Sequence, residues 1–117
     1  MTFNGSLNMM ESNNLNSDAQ VKRADLDLLK GPAVVEFGAS WCGYCQAAQP
    51  DIAAALTKHP NIHHIRIEDG RGQLLGRTYA VKLWPTLIFL KDGIEISRLV
   101  RPADTASISV ALDALTS

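Results

Sequence analysis

The chain has 117 residues, 46% hydrophobic, 20% charged and 6% aromatic, with 11 basic side chains against 12 acidic ones. That length suits one domain with its own core, and no stretch approaches the roughly 20 apolar residues of a membrane helix. Scattered charges of both signs give neither a nucleic-acid footprint nor an acidic tail, and two cysteines are too few for a disulfide framework.

Residues 1–17 are rich in Asn and Ser, with Phe3, Leu7 and Leu15 isolated, and read as a flexible polar arm before a single domain over 18–117. The arm lacks the positive start, apolar run and small-residue cleavage site of a secretory signal, so the cytoplasm is the expected compartment. Val21, Ala24 and Leu28 then share one helical face, with Ser17 or Asp18 as cap and Gly31-Pro32 as the stop. Ala33 to Phe37 is a short continuous run with two valines, flanked by Gly38, that reads as a strand buried on both faces. Residues 43–58 form a helix with Ala48, Ile52, Ala55 and Leu56 inward, and Pro50 removes one of its backbone hydrogen bonds. Ile62, Ile65 and Ile67 mark a second strand, and a short helix is expected from about Gln73 to Ala80. Thr86 to Leu90 and Ile94 to Val100 are strands joined through the Asp92-Gly93 turn of a tight hairpin. Ile108, Ala111, Leu112 and Leu115 make the stripe of a closing helix begun by Asp104 or Thr105. A strand–helix–strand unit followed by a hairpin implies a mixed α/β sheet with helices on both faces.

The chemistry concentrates at Trp41-Cys42-Gly43-Tyr44-Cys45, directly after the buried strand and at the start of a helix. There Cys42 meets unpaired backbone N–H groups and the positive end of the macrodipole, which favour a thiolate. Cys45, one turn deeper, is placed to attack a mixed disulfide formed on Cys42. A rival zinc reading exists, because Cys42-x2-Cys45-x13-His59-x3-His63 has finger-like spacing. Pro60-Asn61 breaks the helix on which both histidines would have to sit, so no metal is expected.

The stretch from Val34 through Cys45 resembles the strand, loop and redox motif of the thioredoxin family. Pro50 falls where that family kinks its active-site helix, Trp84-Pro85-Thr86 resembles its cis-proline loop, and Lys91-Asp92-Gly93 its following hairpin. The likeness covers about residues 20–115. It implies a thioredoxin fold and a protein disulfide oxidoreductase, with Cys42 attacking and Cys45 resolving. Pro85 would be cis and would hold the substrate's extended backbone, and Glu36 would match the buried acid that moves protons to and from Cys45. Burial on an apolar strand is expected to raise the Glu36 pKa. No bound cofactor is implied, because the Cys42–Cys45 disulfide is itself the redox centre. The partners implied are protein disulfides as substrates and a reductase or small thiol as electron donor, with no nucleic acid. No segment suggests dimerisation, so a monomer is expected.

Departures from the family pattern matter as much. Glu36 stands for the usual Asp, His64 for a lysine near it, Gly38 for a tryptophan, Trp84 for a smaller aliphatic residue, and Arg101 for a glycine beside the groove. Trp41 and Trp84 line the groove or cover the core; Glu36 is a proton carrier or a structural acid. One of His63 and His64 should face solvent, Arg66, Arg71 and Arg77 read as a solvated face, and Tyr44 as an exposed loop residue. The usual Gly-Pro between the cysteines is Gly43-Tyr44 here, which predicts a potential somewhat less reducing than is typical. Reduction is the expected direction. The alternatives are an isomerase or oxidant in an extracytoplasmic compartment, and a thioredoxin-like binding or chaperone module in which Trp84 and Arg101 shape a partner groove.

Overall fold

The computed structural model describes residues 21–70 and 73–116, so the polar arm at 1–17 and Arg71 lie outside the described residues. In chain order the elements are α1 (Arg23–Asp27), β1 (Pro32–Gly38), α2 (Gly43–Thr57), β2 (His63–Glu68), α3 (Leu75–Thr78), β3 (Thr86–Lys91), β4 (Ile94–Val100) and α4 (Thr105–Thr116). Among the described residues the strands form one sheet in the order β2-β1-β3-β4. β1 and β2 run parallel with Val34 beside His64 and Glu36 beside Arg66, whereas β1–β3 and β3–β4 are antiparallel. This is the expected mixed sheet: the βαβ unit supplies the parallel pair and the hairpin supplies the rest.

Strand alternation divides the core into two layers. Val34, Leu87 and Phe89 face Ala48, Ile52 and Ala55 of α2 and Ile108, Leu112 and Leu115 of α4. Ala33, Val35, Phe37, Ile88 and Leu90 face the other way, onto Leu26, Leu75 and Tyr79. Buried on both sides, β1 and β3 can carry apolar residues at nearly every position. Both strands therefore read as hydrophobic runs, interrupted in β1 by Glu36.

Two expectations are corrected. The inward residues of the first helix are Leu26, with Val21 and Leu29 beside it, while Leu28 is 74% exposed and Ala24 is exposed as well. A five-residue helix completes too few turns for a helical period to hold. The linking helix is likewise cut to Leu75–Thr78 from the expected 73–80. Asp92 and Gly93 adopt φ of 52° and 81°, the pair of left-handed residues that a two-residue hairpin turn requires. At Gly93 glycine is needed twice over, because a side chain there would collide with the Asp27 backbone. The Asp92 carboxylate accepts from the Gly31 N–H at 2.8 Å, tying the hairpin to the start of β1.

Candidate active site

β1 ends at Gly38, and a short loop returns the chain so that Cys42 becomes the N-cap of α2. Its N–H donates to Ala39 O at 3.0 Å, and its own carbonyl accepts the first helical bond from Gln46 N–H at 3.0 Å. The Cys42 Sγ accepts from the Cys45 N–H at 3.3 Å, doing for this helix what a Ser or Asp oxygen does for others. Both thiols are free. A hydrogen bond from the Cys45 thiol holds the Cys42 pKa below its ordinary value; the Cys45 and Tyr44 N–H groups and the Arg101 charge add to it, against the desolvation of a nearly buried sulfur. Cys45 goes the other way. Desolvation by burial, with the Cys42 sulfur and the Glu36 charge as further causes, pushes it up to about 11. One sulfur is thus prepared as a thiolate while its neighbour keeps its proton.

The proximity depends on Gly38, where an added Cβ would stand 2.8 Å from Cys45 Sγ. Two residues upstream, Glu36 is 3% exposed and fully engaged. The His64 Nε2 lies 2.7 Å from Oε1, the Gln49 Nε2 donates to Oε2 at 2.7 Å, and the Arg66 Nε lies 3.8 Å from Oε1. The expected rise in the Glu36 pKa is overturned. Burial does push it up, but the hydrogen bonds from His64 and Gln49 and the charges of His64 and Arg66 outweigh burial and hold it below its ordinary 4.5. Arg66 is therefore more than part of a solvated face. His64 turns inward while His63 is exposed, as alternation predicts.

Gln49, unnoticed in the sequence, also donates to the Cys45 carbonyl at 3.2 Å, joining the acid to the helix turn that carries the second sulfur. Its signal is its position four residues after Cys45 on the same face of α2.

The Trp84–Pro85 peptide is cis, as expected. Trp84 packs against Ala39, Cys42 and Cys45, and its ring stands edge-on to Trp41 with centroids 5.4 Å apart. The Trp84 indole N–H donates to Asp69 Oδ2 at 2.9 Å, while the Asp69 N–H donates to Gly38 O at 2.7 Å. Trp84 therefore shields the sulfurs, whereas Trp41 is 71% exposed beside them. Asp69 is a second residue the sequence did not reveal. Gly76 lets α3 reach its carboxylate, which an added Cβ would meet at 2.6 Å.

Arg101 sits across the same rim. Its N–H donates to Pro85 O at 2.9 Å, its Nε donates to Trp84 O at 2.8 Å, and its guanidinium lies 3.8 Å over the Tyr44 ring. A shallow cleft of about 160 Å³ runs between Tyr44, Ala48, Asp51, Pro85, Arg101 and Pro102. The zinc set is not brought together. Cys42 and Cys45 open α2, while His59 lies beyond its 15 residues, about 22 Å away at 1.5 Å per residue, and pairs with Asp113 at 2.9 Å.

A sheet layered between helices, with two unlike thiols at a helix start packed against the residue that precedes a cis-proline, defines a dithiol protein of the thioredoxin fold. The thioredoxin family model matches residues 8–114. The chain belongs to the thioredoxin family. Thioredoxin 2 from Pseudomonas aeruginosa PAO1, solved in its reduced form, superposes with a TM-score of 0.73 at 49% identity, over 80% of this chain and 86% of that one. Thioredoxin from Chlamydia trachomatis is 30% identical over 81 residues, 69% of this chain and 79% of that protein. Thioredoxin H-type 1 from Nicotiana tabacum is 34% identical over 67 residues, 57% of this chain. Here the matched part spans about half of the relative's length, 53%.

Proposed function

We propose that the chain is a thiol–disulfide oxidoreductase that reduces protein disulfides through Cys42 and Cys45. The observation that carries this reading is the opposite bias of the two sulfurs, Cys42 below its ordinary pKa and Cys45 at about 11. The Cys42 thiolate attacks one sulfur of the substrate disulfide, forming a mixed disulfide and releasing the other sulfur as a thiolate that takes up a proton. Cys45 then gives its proton to the Glu36 carboxylate and attacks Cys42 Sγ. The Cys42–Cys45 disulfide forms, the second substrate thiolate leaves, and two electrons have passed to the substrate. Glu36 is ionised at neutral pH; with its pKa held below 4.5 it relays that proton onward to solvent rather than keeping it, while its charge beforehand discourages premature loss of it. Pro85, Trp41, Trp84 and Arg101 form the surface against which substrate lies.

No bound cofactor is required, since the sulfur pair carries the electrons; a separate reductase or small thiol restores the dithiol. The working form is a monomer in the cytoplasm. Among the described residues no helix is long and apolar enough to cross a membrane, and the relatives are named thioredoxins.

Cys42→Ser is expected to abolish disulfide reduction, and Cys45→Ser to accumulate a covalent adduct with substrate on Cys42. Cellular function retained by Cys42→Ser despite lost disulfide reduction rejects the reading in favour of a binding module. Equilibration against glutathione buffers should give a potential somewhat less negative than about −270 mV; a value between about −180 and −120 mV assigns an isomerase or oxidant instead.

A further inference from the structure

Arg101 has φ of 51°, in the left-handed region that favours glycine. A backbone held there by a residue with a side chain is retained at a cost, and such outliers gather where the side chain has work to do. The guanidinium is fixed from two sides, by Nε donating to the Trp84 carbonyl and by its stacking on Tyr44. Those contacts join the loop before β3 to the first turn of α2, where Tyr44 is helical rather than the loop residue expected, and they leave Nη1 and Nη2 without a hydrogen-bond partner among the described residues. A planar fork with its stem immobilised and its outer N–H groups free is suited to a carboxylate. It stands on the rim of the cleft that Pro85 and Tyr44 line. The cleft also contains one acid, Asp51, whose Oδ1 accepts from the Thr105 hydroxyl at 2.7 Å. The charge along it therefore changes sign between Arg101 and Asp51.

We propose that Arg101 is a specificity-determining residue, selecting extended peptide substrates with an Asp or Glu next to the cysteine that Cys42 attacks. The inference rests on the oxidoreductase reading above and adds the class of substrate. The carboxylate docks on the free side of the guanidinium while the peptide backbone lies along the Pro85 edge. Since the fork is held before substrate arrives, little side-chain entropy is lost on binding. Acids displaced toward Asp51 are repelled, so the selection is for position as well as charge.

The test is kcat/KM for three peptides that share one disulfide and carry Glu, Gln or Lys beside the attacked cysteine. The reduced full-length protein should prefer Glu over Lys by roughly three- to tenfold at low salt, with the preference fading near 1 M salt, where the screening length is about 3 Å. In Arg101→Gly, whose backbone suits φ of 51°, the Glu-to-Lys ratio should fall to about one; Arg101→Lys should keep part of it. The ratio is the readout because losing the charge beside Cys42 alters the thiolate, and hence all three rates, by a common factor. Equal turnover of the three peptides by the unaltered protein overturns this inference alone, as does an unchanged ratio in Arg101→Gly. No turnover of any peptide overturns the oxidoreductase reading and this inference with it.

Discussion

The two faces of the sheet are covered by very different material. Over Val34, Leu87 and Phe89 lie α2 and α4, of 15 and 12 residues, which also pack against each other. Over Val35, Phe37, Ile88 and Leu90 lie α1 and α3, of five and four residues. The carboxylate of Glu36 is buried on the first face, together with Gln49 from α2. Among the described residues the one buried polar side-chain atom without a partner, the Tyr79 hydroxyl, lies on the second face. The difference teaches where this fold can hold a charge. Long helices give neighbours at fixed spacing, so a buried carboxylate finds its donors, while short helices and loops cover apolar residues adequately and offer few such donors.

If the second face serves packing alone, damage there should lower stability and leave the chemistry intact. Leu90→Ala removes a fully buried side chain opposite Ala33 and should cost about 2–5 kcal/mol in denaturant unfolding. Disulfide reduction per folded molecule should stay at the parent rate. A matching loss of turnover in the folded fraction would break the comparison.

On the first face the opposite is expected. Glu36→Gln keeps the shape of the side chain and removes the proton acceptor, so turnover near neutral pH should fall by roughly ten- to a hundredfold. Thiolate absorbance should show Cys45 titrating below its parent value of about 11, because the Glu36 charge is one of the causes that raise it. A role in folding alone would move neither the thiolate titration nor the pH–rate profile. The stability effect has a definite sign. A carboxyl whose folded pKa lies below 4.5 contributes stability that is present above pH 4.5 and lost as pH falls through the lower, folded value. The parent protein should therefore lose stability below about pH 4.5 more steeply than Glu36→Gln does.

Gly38→Ala sharpens the comparison at the boundary between the faces. The new methyl would stand 2.8 Å from Cys45 Sγ, which must then shift. Displacing the resolving sulfur should slow release of the mixed disulfide by about tenfold, equivalent to about 1.4 kcal/mol of barrier. Adduct trapped by rapid acid quench measures it, and the first attack by Cys42 should keep its rate.

How much of this was legible in the sequence follows the same division. Strands β1 and β3 announce themselves as largely apolar runs, broken in β1 by Glu36, because both faces are covered, and Asp92-Gly93 marks its turn because only such residues accept two positive φ values in succession. The cysteines are legible because strand end, motif and helix start are contiguous. The inward side of α1 was not, since Leu26 is buried by tertiary contact rather than by a repeating stripe. Nor was the Glu36 pKa, which is set by His64 and Arg66 from the neighbouring parallel strand and by Gln49 from α2. Desolvation can be read from a local run of apolar residues, but its compensation depends on strand register. The Trp84–Asp69 bond escaped for a similar reason, as it joins residues 15 positions apart in the chain with no periodic signal.

The smallest effect tests the second face from inside. Tyr79 is 3% exposed, its ring is tilted against Phe37 at 5.9 Å, and the Arg23 guanidinium lies 3.8 Å over it. The ring is thus well placed, yet its hydroxyl has no partner among the described residues. An unpaired buried hydroxyl loses its water without compensation, and phenylalanine keeps the ring contacts and the face that Arg23 stacks on. Tyr79→Phe should therefore stabilise the protein, by about 1 kcal/mol, visible as a rise of a few degrees in Tm. The gain should grow above pH 10. Burial holds the Tyr79 pKa above its ordinary 10.0, so the stability that goes with the protonated phenol is present below pH 10 and lost as pH rises through the folded value, a loss phenylalanine cannot suffer. A destabilised Tyr79→Phe would mean that the hydroxyl is bonded in solution and that the second face, too, supports a buried polar group.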